Sequence, residues 1–383
     1  MNFELAAPAR IIFGEGRVLG AGKVAAGMGS RAILVEGQSG RAERLVSELR
    51  DRGIPTTTLR VASEPTVSLV EEGAAQARRD QCDIVVALGG GSVIDAGKAI
   101  AALLTNDAPI RDYLEVIGKA QPLTNRAAPF IAIPTTAGTG AEMTRNAVLM
   151  AEEERVKVSL RSALMLPAVA LIDPELTYSV PPDVTASTGL DALTQCIEPF
   201  VSPLGNPLTD AVAREGIRRA AGALRRVFRD GTDVDARRDM AVASVCGGLA
   251  LANAKLGAVH GFASPLGGMF PMPHGTVCAR LLPSIARVNV RALRARAPSS
   301  PALERYDEVA RIVTGIHAAT AEDGAAWLED LVEELEVPKL ATYGARDDDI
   351  ARVVAAARQA SSMQGNPIVL TDQELEEALR VAI

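Results

Sequence analysis

Only three histidines occur in this chain of 383 residues, and two of them, His260 and His274, stand on either side of a bend rich in glycine and proline, LGAVHGFASPLGGMFPMPHG. Upstream, GLDALTQCIEP places Asp191 and Gln195 at i and i+4, on one helical face. An aspartate and two imidazoles form a facial donor set for a divalent ion such as Fe²⁺ or Zn²⁺, and Gln195 adds a weaker amide oxygen. The same residues also read as two hydrogen-bonded structural histidines, and spacing alone leaves both readings open. His317, in GIHAAT, reads as an ordinary residue at a helix end.

A second chemistry is written in DIVVALGGGSVIDAGK, residues 83–98, where an apolar run ends in three glycines and opens into an amphipathic helix. Gly89, Gly90 and Gly91 let the backbone approach a ligand that a Cβ would block, and the helix start offers N–H groups to an anion. Ser92 is expected to cap that helix, with Asp95 three residues on closing a capping box. IAIPTTAGTGAEMT, residues 131–144, repeats the strand-to-loop design and offers Thr135, Thr136 and Thr139 to phosphate or ribose hydroxyls. Two such loops in one domain favour a shared dinucleotide.

These groups need a scaffold. As far as Asp173, short apolar runs (Arg31–Val35, Asp83–Leu88, Phe130–Ile133, Val169–Ile172) alternate with helical patterns (Arg41–Arg52, Val67–Arg79), the signature of an α/β domain with a mostly parallel sheet. Beyond Pro181-Pro182 the pattern is helical, with candidates Asp191–Phe200, Leu208–Phe228, Ala236–Ala252, Pro301–Ile316, Thr320–Leu335, Asp347–Ala360 and Asp372–Ala382. The expected organisation is a Rossmann-like dinucleotide-binding α/β domain over residues 1–180, then an all-α metal and substrate domain over 181–383. Ligands of open α/β sheets bind beyond the carboxyl ends of the strands, so the active site is expected in the cleft between the two domains.

Composition narrows the partners. The net charge of −7 and the lack of any basic run argue against nucleic acid. Cys82, Cys196, Cys246 and Cys278 show no CxxC spacing, which points to a reducing cytoplasm rather than a disulfide framework. The N-terminus, MNFELAAPARIIFGEG, lacks the layout of a signal peptide and reads as a strand leading to a turn. The apolar stretch Met240–Phe270 contains Asn253, Lys255 and His260 and reads as buried helices around a site, not a membrane span.

Taken together, GGGSVIDAGK, PTTAGTGAEMT, DPELTYSVPPDVTASTGLDAL and the VHGFASPLGG…PHG segment resemble the iron-containing alcohol dehydrogenase family, which shares its fold with glycerol dehydrogenase and dehydroquinate synthase. The resemblance runs over nearly the whole chain. It implies NAD or NADP and a divalent metal beside the nicotinamide. Gly90, Gly91, Ser92 and Asp95 match the pyrophosphate motif, while Thr135, Thr136, Thr139, Val148 and Lys157 match positions lining the nicotinamide half. Asp191, His260 and His274 match three of the family's four metal ligands. The fourth is usually histidine where this chain has Gln195, which predicts a lower metal affinity. A further family histidine, which assists proton release, is here Ser264, so the proton would leave through water or ribose hydroxyls.

Cofactor preference is expected to turn on the end of the first Rossmann strand, AILVEGQSG. The position where NAD-preferring relatives carry an aspartate is here Gly37, followed by Gln38 and Ser39, with Arg41 nearby; this leaves room for a 2′-phosphate and favours NADP or dual use, although Glu36 could still bind the ribose. The expected activity is reversible hydride transfer with a small alcohol or aldehyde, in a homodimer or higher homo-oligomer. His260 and His274 carry the catalysis, as ligands of a Lewis-acid metal or, without one, as hydrogen-bond donors to a carbonyl. Three alternatives remain: a metal-independent, maleylacetate-reductase-like enzyme whose acidic substrate is held by Arg145 or Arg161, a dehydroquinate-synthase-like lyase, and a nucleotide-binding protein that has lost catalysis.

Overall fold

The computed structural model describes residues 2–38 and 40–383, and Ser39 lies outside the described residues. Two compact units divide the chain: Ala6–Thr136 with Ala141–Thr177, and Tyr178–Ile383 with Ala137–Gly140 and the first residues of the chain.

In the first unit the strands are β1 (Arg10–Phe13), β2 (Ala32–Glu36), β3 (Thr56–Arg60), β4 (Ile84–Gly89), β5 (Phe130–Pro134), β6 (Asn146–Ala151), β7 (Val156–Arg161) and β8 (Val169–Ile172). Its helices are α1 (Ala21–Ala26), α2 (Glu43–Asp51), α3 (Val67–Arg79), α4 (Gly91–Leu103) and the single turn α5 (Ile110–Tyr113). Six strands form one sheet in the order β1-β8-β5-β4-β2-β3, with every pairing parallel. The runs AILVE, IVVALG and FIAIP are buried along their whole length, as central parallel strands covered on both faces must be.

The period-two alternation of side chains sorts these strands into two cores. Ile33, Val35, Val85, Ala87, Phe130 and Ala132 belong to the core that includes α3 and α4, whereas Leu34, Ile84, Val86, Leu88, Ile131 and Ile133 belong with Ala21, Leu45 and Leu49 of α1 and α2. Close helix-to-sheet packing rests on Gly97, where a Cβ would come within 2.8 Å of Ala87 and 2.9 Å of the Phe130 ring. A separate antiparallel hairpin, β6-β7 (NAVLMA and VKVSLR), has no counterpart in the expected element list.

The second unit is helical: α6 (Pro182–Val201), α7 (Pro207–Arg229), α8 (Val234–Ala254), α9 (Ala258–Met269), α10 (His274–Arg296), α11 (Pro301–Thr314), α12 (Ala321–Glu334), α13 (Ile350–Ala357) and α14 (Asp372–Ala382). Asp191–Phe200 is only the later part of α6, which starts at the second residue of the Pro181-Pro182 pair, where proline's missing N–H costs nothing. Asn206 and Thr371 close capping boxes at the starts of α7 and α14. No single helix among the described residues is long and apolar enough to cross a membrane; the apolar Met240–Phe270 stretch is split between α8 and α9, which meet at a 98° bend.

Candidate active site

Three helices bring together the metal-ligand candidates of the second unit. Asp191 comes from α6, His260 from the first turn of α9, and His274 opens α10 immediately after Pro273. His260 Nε2 lies 3.3 Å from Asp191 Oδ1 and His274 Nε2 lies 3.7 Å from the same oxygen. The two rings are 5.3 Å apart, centre to centre. One turn beyond His274, Cys278 Sγ sits 3.6 Å from both Nε2 atoms. Asp191, His260, His274 and Cys278 thus point one donor atom each into a space where all four lie within 4.8 Å of one another.

Behind the cluster, Glu198 orients His260. Its Oε2 is 2.6 Å from His260 Nδ1, and its Oε1 accepts the Val259 N–H at 2.8 Å. A carboxylate on Nδ1 places the proton there and leaves the Nε2 lone pair facing the cluster, the usual arrangement of a metal-binding histidine. Sequence reasoning missed both Glu198 and Cys278. Glu198 could have been found as the next turn of the Asp191–Gln195 face, and Cys278 as the i+4 neighbour of His274.

Gln195 falls beside Asp191 and donates from Nε2 to Asp191 Oδ2 at 3.0 Å. Its Oε1 and Asp191 Oδ1 are buried polar atoms without a hydrogen-bond partner. Such atoms carry a desolvation cost unless something meets them. The electrostatics name what fits. Burial opposes charging His260, yet Cys278, Asp191 and Glu198 hold its pKa well above the ordinary imidazole value. Asp191 is kept below the usual carboxylate range by His274 and His260 in spite of its burial. Burial pushes the Cys278 thiol up to about 12. A buried place this rich in anionic and lone-pair donors favours positive charge, and oxygen, imidazole and sulfur donors on an orphaned carboxylate suit a divalent cation.

His317 is exposed beyond α11, apart from the cluster, as an ordinary helix-end residue. Ser264 is exposed on α9.

Gly37, Gly90, Gly91, Ser92, Thr135 and Thr136 follow the carboxyl ends of β2, β4 and β5 in the first unit, whereas Val148 and Lys157 sit on the β6-β7 hairpin. There β2 and β4 are neighbours while their connections run to opposite sides, the switch point at which doubly wound sheets bind ligands. Gly37 follows β2, and a Cβ on it would meet Val93 of α4 at an ordinary 3.7 Å. Gly90 ends the neighbouring loop, a Cβ there lying 3.6 Å from Thr136. Thr135 donates its N–H to Gly89 O at 3.0 Å, tying the two loops together. Thr139 is in the short segment that clusters with the helical unit.

Two local expectations are corrected here. The helix cap is Gly90, not Ser92: α4 starts at Gly91, so Ser92 is already inside the first turn. Asp95 closes no capping box. It instead accepts the Val148 N–H at 3.0 Å through Oδ2, and its Oδ1 lies 3.4 Å from the fully buried Lys98. Lys98 also donates to Ala141 O, Thr144 Oγ1 and Asn146 O, at 2.8, 2.9 and 2.6 Å. Burial pulls Lys98 down and Asp95 up from their ordinary pKa values. A glycine at the cap leaves the helix-start N–H groups free of side-chain acceptors, which suits a phosphate better than a serine cap would. Lys157 is paired with Glu64 at 2.9 Å, Glu36 with Arg60 at 3.0 Å, and Arg161 with Glu115 at 3.1 Å. Arg41 donates to Leu176 O at 3.0 Å.

With the parallel sheet, the glycine loop and the His-Asp cluster in place, the class is that of a nucleotide-dependent metalloenzyme. The chain belongs to the iron-containing alcohol dehydrogenase family: residues 8–174 match "Iron-containing alcohol dehydrogenase" and residues 185–383 match "Fe-containing alcohol dehydrogenase family, C-terminal". It is 36% identical to choline dehydrogenase of Bacillus subtilis (strain 168), over 97% of this chain and 92% of that protein. Its fold is similar to the crystal structure of 1,3-propanediol oxidoreductase, with a TM-score of 0.92 and 34% identity over the whole of both chains. It is also similar to sulfoacetaldehyde reductase of Bifidobacterium kashiwanohense in complex with NAD⁺, with a TM-score of 0.86 and 30% identity over 100% of this chain and 99% of that one. The protein is an oxidoreductase acting on CH–OH groups, with NAD(P) and a divalent metal as the family's cofactors.

Proposed function

We propose that this chain interconverts a small alcohol and its aldehyde by hydride transfer to and from C4 of the nicotinamide, with Asp191, His260 and His274 holding the divalent metal. One observation carries the proposal: a buried carboxylate oxygen, Asp191 Oδ1, lacks a hydrogen-bond partner although two imidazole Nε2 atoms lie within 3.7 Å of it. The metal, when bound, supplies Lewis-acid polarisation of the substrate oxygen.

The protein's own residues do the rest. Glu198 fixes the tautomer and aim of His260, and Gln195 holds the second oxygen of Asp191. Gly90, Gly91 and Ser92 receive the pyrophosphate on the open start of α4. Thr135, Thr136, Thr139, Val148 and Lys157 line the nicotinamide half, and Asp95 acts by fixing the Val148 backbone. Gly37 leaves the adenosine ribose site open to NAD and NADP alike. Ser264 cannot titrate near neutrality, so water or ribose hydroxyls take the proton.

Relatives named for choline, propanediol and sulfoacetaldehyde differ in substrate charge, so the family sets the reaction and local side chains set the substrate. The four cysteines are free, which supports a cytoplasmic protein. Ile11, exposed on edge strand β1, supports a homodimer or higher homo-oligomer.

A panel of short alcohols and aldehydes with NAD(H) and NADP(H), followed by nicotinamide absorbance, tests the proposal. Turnover of at least one pair, abolished in His274→Ala, is the expected result. Reduced dinucleotide that binds tightly but never exchanges hydride with any member of the panel would contradict it.

A further inference from the structure

Gln195 stands where the family carries a histidine ligand, so this chain either lacks a donor or supplies one from elsewhere. The cluster distances distinguish these. Tetrahedral coordination with metal–sulfur and metal–nitrogen bonds of about 2.3 and about 2.0 Å places sulfur and nitrogen about 3.5 Å apart, and nitrogen and oxygen about 3.3 Å apart. Cys278 Sγ is 3.6 Å from His260 Nε2 and 3.6 Å from His274 Nε2, while His260 Nε2 is 3.3 Å from Asp191 Oδ1. Three edges of a tetrahedron are therefore already present, and the His274 to Asp191 edge is slightly long at 3.7 Å.

Gln195 is differently placed. Its amide donates to Asp191 Oδ2, which fixes the nitrogen toward the carboxylate, since the opposite orientation would set two oxygens against each other. Its Oε1 lies 3.4 Å from where a Cβ on Gly247 of α8 would stand.

We propose that Cys278, not Gln195, provides the fourth protein ligand, giving an Asp191-His260-His274-Cys278 site in which Gln195 is a positioning residue for Asp191. The inference rests on the metal-dependent reading above. A soft sulfur donor among borderline imidazoles biases the site toward Zn²⁺ and Co²⁺ over Fe²⁺. The thiol loses its proton to solvent as the metal enters, so metal uptake releases a proton from Cys278.

X-ray absorption of the full-length protein loaded with Zn²⁺ tests this directly, with Co²⁺-loaded protein as a second probe. The expected result is one sulfur neighbour at about 2.3 Å and a thiolate-to-cobalt charge-transfer band in the near ultraviolet. Cys278→Ser removes both signals and lowers the Zn²⁺-over-Fe²⁺ preference, whereas Gln195→Ala keeps both while weakening metal binding about tenfold. Stoichiometric Zn²⁺ with only nitrogen and oxygen neighbours overturns the cysteine ligand and leaves the metal-dependent reading intact. Protein that takes up neither ion overturns both.

Discussion

Glu198 Oε2 and His260 Nδ1 are 2.6 Å apart in the interior of the helical unit, and both side chains are almost fully buried. In the metal site proposed above, Glu198 acts through His260 without touching the metal. Removing an outer carboxylate of this kind costs about 10–100-fold in metal affinity. Glu198→Gln, which can still accept from Nδ1–H, is expected at the low end, and Glu198→Ala at the high end. Competitive titration with a metal indicator measures it; equal affinities for parent and Ala variant would count against the arrangement.

Metal retention also depends on pH. The anionic surroundings hold the His260 pKa well above its ordinary value, so its imidazolium persists to higher pH than usual and competes with the metal. Affinity is expected to rise as pH increases through neutrality. A flat profile from mildly acidic to mildly alkaline buffer would show that His260 is not displaced from its proton by the ion.

Much of this was legible in residue types and spacing. The buried strands announced themselves as uninterrupted apolar runs, and His260, His274 and Asp191 drew notice through the scarcity of histidine and an i, i+4 spacing. What escaped was tertiary. Spacing ties Cys278 to His274 at i+4, but its nearness to His260 follows only from how α9 and α10 pack after the Phe270–Pro273 break. Asp95 was misread for a related reason. Its spacing from Ser92 satisfies a capping box, but a buried Lys98 and the Val148 N–H outcompete the local bond.

Glu142, buried beside Lys98 and Asp95, has its pKa raised by burial from 4.5 to about 7. The folded state favours its neutral form, so its contribution is complete below pH 4.5 and is lost as pH rises through about 7. The size is about 3 kcal/mol. Glu142→Gln, permanently neutral, should gain on the parent in denaturant stability by about 2–3 kcal/mol as pH rises from 5 to 8. Parallel stability curves would refute the assignment.

On the reading proposed above, cofactor choice turns on Gly37, a position that can accept a side chain. Gly37 has no left-handed backbone requirement, and its Cβ direction meets only Val93 at 3.7 Å. Gly37→Asp should fold normally and shift the NADH-to-NADPH ratio of kcat/KM by about tenfold or more toward NADH, by placing a carboxylate against the 2′-phosphate. An unchanged ratio would move the adenosine ribose away from this strand end.

On the function proposed above, hydride transfer by this chain depends on a divalent ion held by Asp191, His260 and His274. Metal content and turnover measured on the same samples, before and after chelation and on stepwise return of Fe²⁺ or Zn²⁺, test it most directly. Activity is expected to fall with the metal, vanish when it is gone and return in proportion to the ion restored. Full turnover from metal-free protein would contradict it.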